Sequence, residues 1–204
     1  MTKDRILEAA ERLFAENGFE GTSLRQITAA ASTNLASVHY HFGTKDDLML
    51  AVLNRRLTPI NQKRLEMLDA IEVHPPPLSA ILTAFYAPVV ELIEGPGAEF
   101  LPLFGRILFE GGRSREFFFQ LMQPVASRFL AALRSALPHL QEEELFWRMH
   151  FTAAILGFTM AGSHVLAWVS GGKCQLRGAR DITERMVEFS AAGLRAPVHQ
   201  RSSL

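Results

Sequence analysis

Thr22–Leu48 reads TSLRQITAAASTNLASVHYHFGTKDDL, and its punctuation decides the architecture. Ser23 or Thr22 can cap a helix that begins near Leu24, with Leu24, Ile27 and Ala31 as its inner face. Ser32-Thr33-Asn34 interrupts it, and Asn34 is a strong N-cap for a second short helix, Leu35 to Phe42. Gly43-Thr44 ends that helix. Thr44, with Asp47 three residues on, resembles a capping box and opens a long helix through Leu48, Val52 and Leu57 towards Ile71. A short helix, a turn and another short helix have the outline of a helix-turn-helix, whose second helix enters the DNA major groove. Any short helical hairpin can share that outline.

The residues upstream supply a third helix. Ile6, Ala10, Leu13 and Phe14 recur at helical spacing over residues 3–17, with Leu7 beside them, and Asn17-Gly18 is a left-handed stop. Charge is segregated across this region. Seven basic and seven acidic residues fall within residues 1–57, yet Thr22 to Lys45 holds no Asp or Glu. Glu8, Glu11, Glu16, Glu20, Asp46 and Asp47 crowd the flanks. A polyanion therefore meets a donor-rich face made of Thr22, Ser23, Arg25, Gln26, Asn34, Ser37, His39, Tyr40, His41 and Lys45. Each has a plainer reading: Arg25 can pair with Glu20, Tyr40 can be half core with its hydroxyl at the surface, and His41 can pack.

The whole chain has 204 residues, 48% apolar, with 21 basic and 21 acidic side chains. A globally basic nucleic-acid binder is excluded, while a local basic face is not. The 15 Phe exclude a disordered chain, and one cysteine, Cys174, excludes an intramolecular disulfide. No signal peptide is expected, because Ile6 and Leu7 sit among charges. His74-Pro75-Pro76-Pro77 breaks the long helix. Beyond it, amphipathic helices are predicted over 78–94, 98–112, 114–136, 142–170 and 178–194, and no strand pattern occurs. The fold class is all-α. Met149–Gly172 is free of Asp, Glu, Lys and Arg for 24 residues and so imitates a membrane span. His150, Thr152, Thr159, Ser163, His164 and Ser170 make it too polar for one, and a helix buried on most of its circumference is the better reading.

Thr22-Ser23-Leu24-Arg25-Gln26-Ile27, Ala30-Ala31 and Val38-His39-Tyr40-His41-Phe42-Gly43-Thr44-Lys45-Asp46-Asp47-Leu48 resemble the tetracycline-repressor (TetR) family of regulators. Ile6-Leu7-Glu8-Ala9-Ala10 with Leu13-Phe14 and Gly18 extends the resemblance over about the first 50 residues. It implies a helix-turn-helix domain at 1–48, a linking helix over 45–71, and a helical ligand-binding and dimerisation domain at 49–204. It also implies that Arg25 touches DNA, that Leu35, Ala36 and Ser37 face the major groove, and that Tyr40, His41 and Lys45 contact phosphate. Three positions depart from the family pattern. Ser32 stands at the usual Gly, which strains a left-handed turn. Asn34 stands at the usual Ser and keeps the cap. His39 stands at the usual Tyr and either loses the phosphate role or makes it pH-sensitive.

The downstream helices carry the remaining expectations. Phe104, Arg106, Glu110, Phe118, Trp147, His150, Phe151 and Phe158 are candidates to line a pocket for a small apolar or amphipathic effector, with Arg106 and Glu110 spaced to pair on one helix face. This section is more loosely similar to TetR-type ligand domains associated with fatty or aromatic acids and their thioesters. Leu156, Gly157, Met160, Ala161, His164, Ile182, Met186 and Phe189 are candidates for a homodimer interface built as a four-helix bundle. His39 and His41 point about 200° apart on a helix and cannot share a metal. His150 and His164 read as satisfied buried histidines. No metal or cofactor is expected, nor enzyme activity, because no nucleophile, phosphate loop or paired carboxylates appear. The expected protein is a cytoplasmic, ligand-responsive repressor that binds a near-palindromic DNA operator as a homodimer. The rivals are a helical enzyme for an apolar substrate and a dimeric scaffold without a pocket.

Overall fold

Short helices joined by capped turns arise because each turn carries its own cap. The chain is described by a computed structural model covering residues 2–95, 97–175 and 178–198. The side chains of Glu110, Ser163 and His164 also lie outside the described set, so the expectations placed on Glu110 and His164 are not addressed. The described regular structure is entirely helical. It runs α1 (Thr2–Asn17), α2 (Leu24–Ala30), α3 (Leu35–Phe42), α4 (Lys45–Asp69), α5 (Leu78–Val90), α6 (Leu101–Glu110), α7 (Arg113–Ala136), α8 (Glu142–Ala161), α9 (Ser163–Val169) and α10 (Ala179–Arg195), with 3₁₀ turns at Glu91–Ile93 and Ala98–Phe100.

Two compact units form, Met1–Ile60 with Gly95–Gln123 and Asn61–Glu94 with Pro124–Leu204. In the first, α1 buries Ile6, Ala10 and Phe14 with Ile27 of α2 and Val38 of α3. Leu48, Val52 and Leu53 of α4 are fully buried as well. The sequence places a boundary after residue 48. The compact unit also takes in α6 and the start of α7, because α6 packs on α1. Arg106 of α6 donates to the carbonyls of Ala15 (2.5 Å) and Glu16 (2.8 Å), which end α1 without intrahelical partners. Arg56 grips the buried Glu11 through Nε, 2.9 and 3.0 Å from its two carboxylate oxygens.

In the second unit α5 packs along α10. The buried Tyr86 hydroxyl donates to Thr152 O (3.1 Å) and meets Ser190 Oγ at 2.7 Å. Burial pushes the phenol up to about 12, so it stays a donor throughout the physiological range. Arg148 of α8 donates to the carbonyls of Leu194 (2.7 Å) and Ala196 (2.8 Å) and so closes the C-terminus of α10. Arg64 is buried over the Phe85 ring at 4.6 Å and donates to Phe85 O at 2.9 Å. Desolvation lowers its guanidinium to about 10. The expected single helix over 142–170 breaks at Gly162, whose φ of −108° ends α8 before α9 begins. No single helix among the described residues is long and apolar enough to cross a membrane.

Candidate nucleic-acid interface

Two caps set the angle between α2 and α3. Ser23 Oγ accepts from Gln26 N (3.3 Å) and Ser23 N donates to Gln26 Oε1 (2.8 Å), a reciprocal capping box. It uses the amide oxygen of Gln26 and turns the amide NH2 outward as the remaining donor. At α3, Asn34 Oδ1 accepts from both Ser37 N (2.9 Å) and Ser37 Oγ (3.0 Å). Between them α2 ends in a Schellman turn, with Ser32 N on Ala29 O (3.2 Å) and Thr33 N on Thr28 O (3.0 Å). That turn puts Ser32 at φ 48°, the left-handed backbone anticipated where the family has glycine. Ser32 is the single non-glycine residue with positive φ among the described residues.

The outer face of α3 is polar and exposed. Val38 points inward at 0% exposure, while Ala36, His39, Tyr40 and His41 are exposed and Leu35 and Ser37 half-buried. Tyr40 is 86% exposed, which corrects the half-core reading, and its ring meets His41 edge-on at 5.1 Å. His39 Nδ1 lies 2.7 Å from Gly43 O. A carbonyl can only accept, so Nδ1 carries the proton and Nε2 faces away as an acceptor in the neutral ring. Arg25 is exposed and has no ion pair among the described residues, so the Glu20 pairing does not form. Three of the flanking carboxylates are engaged by arginines: Glu8 with Arg55 (3.4 Å), Glu11 with Arg56 (2.9 Å) and Asp46 with Arg113 (2.6 Å).

Two residues of the expected face turn inward. Thr22 is 2% exposed, and its hydroxyl reaches Leu13 O (3.0 Å) and Gly18 O (2.8 Å), tying the end of α1 to the start of α2. Lys45 Nζ donates to Phe19 O (2.9 Å) and Thr22 O (3.1 Å) and sits 4.2 Å from the centre of the Phe19 ring. Two of its three donors are therefore spent inside the domain rather than on a phosphate. The sequence places both beside the motif but says nothing of which way they point. Asp47 does as its spacing predicts, accepting from Thr44 Oγ1 (2.6 Å) and Thr44 N (3.1 Å). These bonds hold its carboxyl below the usual carboxylate range.

Two families match the chain. The description "Bacterial regulatory proteins, tetR family" covers residues 6–52, and "Tetracyclin repressor-like, C-terminal domain" covers residues 83–193, just over half of the chain. The chain belongs to the TetR family. It is 36% identical over 72 residues to the HTH-type transcriptional repressor NicS of Pseudomonas putida, covering 33% of this chain and 34% of that protein. It is 47% identical over 57 residues to the HTH-type transcriptional repressor Rv3405c of Mycobacterium tuberculosis, covering 28% of this chain and 30% of that protein. Each match thus spans about a third of the relative's length. A solved TetR-family regulator, PfmR of Thermus thermophilus, shares the fold with a TM-score of 0.63 at 19% identity, over 98% of both chains. The family's description is that of bacterial regulatory proteins.

For the effector and dimer positions of this TetR regulator, burial reverses several expectations. Phe104 and Phe118 are buried in the first unit with ring centres 5.8 Å apart. Arg106 is spent on α1 carbonyls, as above. Trp147, Phe151 and Phe158 are 46%, 56% and 55% exposed, and His150 is exposed rather than buried. The seven described effector candidates therefore do not enclose one pocket within either unit. Conversely Leu156, Gly157, Met160, Ile182 and Met186 are buried in the core of the second unit, so they are not an open dimer face. Ala161 is half-buried, and Phe189 stays 72% exposed. The physical reason is that apolar residues fall on more than one face of α8 beyond Met149, and sequence periodicity does not say which face its own chain covers.

Proposed function

We propose that this TetR regulator is a homodimeric, ligand-responsive repressor that binds a near-palindromic operator in the cytoplasm. The observation that carries the reading is the exposed, carboxylate-free surface of α2 and α3, with no ion pair at Arg25 among the described residues and with Glu8, Glu11 and Asp46 each tied to an arginine outside it. In this reading Arg25 and the Gln26 amide address backbone or base edges, Ser37, Ala36 and Leu35 approach the major groove, and Tyr40 and His41 meet phosphate. Residues 1–48 are the DNA-reading part, and the remainder serves effector binding and dimerisation. Ser23 and Asn34 present helix starts to the backbone, while Thr22 and Lys45 hold the domain together.

The dimer face in this reading is the exposed stripe of α8, Trp147, Phe151 and Phe158, with Phe189 of α10. Trp147 and Phe151 already stack at 5.8 Å, and large exposed aromatic stripes mark interaction surfaces. A small, largely apolar effector binds the two states of the dimer differently and shifts it off the operator. The test is fluorescence anisotropy against fragments upstream of candidate genes across a salt series. Salt-sensitive binding in the nanomolar range, weakened roughly 10- to 100-fold by Arg25→Ala at unchanged melting temperature, is the expected result. Absence of salt-sensitive binding to any fragment overturns it. Native mass spectrometry reads the dimer and any retained effector.

A further inference from the structure

We propose that His39 contacts DNA phosphate only when protonated, so that the protein binds DNA more tightly as pH falls from about 8 to about 6. This rests on the reading of α2 and α3 as the DNA-contacting face, and it assigns that face a proton-dependent contact. His39 follows Leu35 by four residues and Ala36 by three, so it lies on the flank of α3 that carries both. It is exposed there.

The geometry fixes one ring nitrogen and frees the other. Nδ1 donates to Gly43 O at 2.7 Å, which leaves Nε2 as the outward nitrogen. In the neutral ring Nε2 is an acceptor. A phosphodiester oxygen is also an acceptor, so the two repel. A proton turns Nε2 into a charged donor, and the same ring position then offers an N–H to phosphate. The Gly43 carbonyl, at the negative end of α3, favours the imidazolium. His41 is different. Its ring meets Tyr40 and Phe42 but makes no hydrogen bond among the described residues, so a neutral tautomer can already turn an N–H outward. His39 is therefore the residue whose outward polarity the proton reverses.

The neighbouring charges leave this change unopposed on α2 and α3 themselves. Arg25 is their permanent charge, and a proton on His39 doubles it. Helices α1 and α2 pack against α3. On α1, Lys3 Nζ sits 5.9 Å from the centre of the Phe42 ring, Glu8 and Glu11 pair with Arg55 and Arg56, Arg12 pairs with Glu16, and Asp4 and Arg5 complete the set. At the start of α4, Lys45 is bonded to the Phe19 and Thr22 carbonyls, Asp46 to Arg113 and Asp47 to Thr44. Asp47 Oδ2 lies beside Gly43, where its charge also favours the protonated ring.

The experiment measures binding of the full-length protein to a labelled duplex of about 30 base pairs by fluorescence anisotropy, in salt series at about pH 8 and about pH 6. Phosphate contacts do not depend on sequence, so an arbitrary duplex is the probe. Wild-type affinity should rise about tenfold on acidification, with a salt slope steeper by about one. His39→Gln, neutral at both pH values, should lose most of both changes. His139→Gln removes an exposed histidine elsewhere in the chain and should keep them. In ¹H NMR the His39 ring should titrate at a higher pH in the complex than in the free protein. Equal affinity and slope at both pH values, or a His39→Gln profile identical to wild type, overturns the proposal while leaving DNA binding intact. A His39 midpoint that DNA does not move also overturns it, whether or not the glutamine variant folds. No duplex binding at any pH or salt overturns the DNA-contacting reading itself, and this contact with it.

Discussion

Replacing Ser32 by glycine should make this protein more stable, although no contact is gained. Ser32 occupies the C′ position of the Schellman turn at φ 48°, is exposed, and its hydroxyl makes no hydrogen bond among the described residues. The turn bonds, Ser32 N to Ala29 O and Thr33 N to Thr28 O, belong to the backbone and survive the change. A residue with a Cβ in the left-handed region costs roughly 1–2 kcal/mol. Glycine returns roughly 0.5–1 kcal/mol of that through its freer unfolded chain. The net gain is about 0.5–1 kcal/mol, or a rise of about 1–4 °C in melting temperature for a chain of this length. Thermal and urea unfolding followed by circular dichroism measure it. Ser32→Ala is the control, because it keeps the Cβ and should be no more stable than wild type. A glycine variant no more stable than the alanine variant would falsify the strain argument. A tenfold change in operator affinity without a stability gain would instead assign the hydroxyl to DNA.

Thr22→Val keeps shape and burial but removes the hydroxyl that reaches the carbonyls of Leu13 and Gly18. It should destabilise by about 1–3 kcal/mol in urea unfolding, with Thr22→Ser near wild type. Asp47→Ala tests the capping box by pH. The carboxyl is held below its usual value in the folded state, so its contribution is present above the ordinary carboxylate value near 4 and is lost as pH falls through the folded value. The stability gap between wild type and Asp47→Ala should therefore be full at pH 7 and close on acidification below about pH 4; a gap independent of pH refutes the cap. Phe151→Glu places a charge in the centre of the exposed α8 stripe. It should yield a folded monomer in analytical ultracentrifugation, and an unchanged dimer would move the interface elsewhere.

Local chemistry specifies the N-terminal region. Asn34 and Thr44 cap the helices that follow them, and Gly43 ends α3, because each device acts within four residues of chain. Such short-range signals are written in order along the sequence, which is why the helix-turn-helix, the left-handed Ser32 and the family motif could be recognised before any packing was known. The absence of acid between Thr22 and Lys45 was equally plain, since charge is a property of residue type.

Direction was a different matter. Thr22 and Lys45 sit in the same motif as Arg25, yet the first two reach the carbonyls of Leu13 and Phe19 while Arg25 stays in solvent. Which of them is spent inside depends on where α1 lies relative to α2 and α4, a distance in space and not along the chain. The same holds for α8, where apolar residues fall on more than one face of the helix. Sequence alone determined that this helix carries apolar residues on more than one face. Tertiary packing decided that Leu156 and Met160 are buried while Trp147 and Phe151 are exposed, because a helix has one orientation in its own core and only the neighbouring helices fix it.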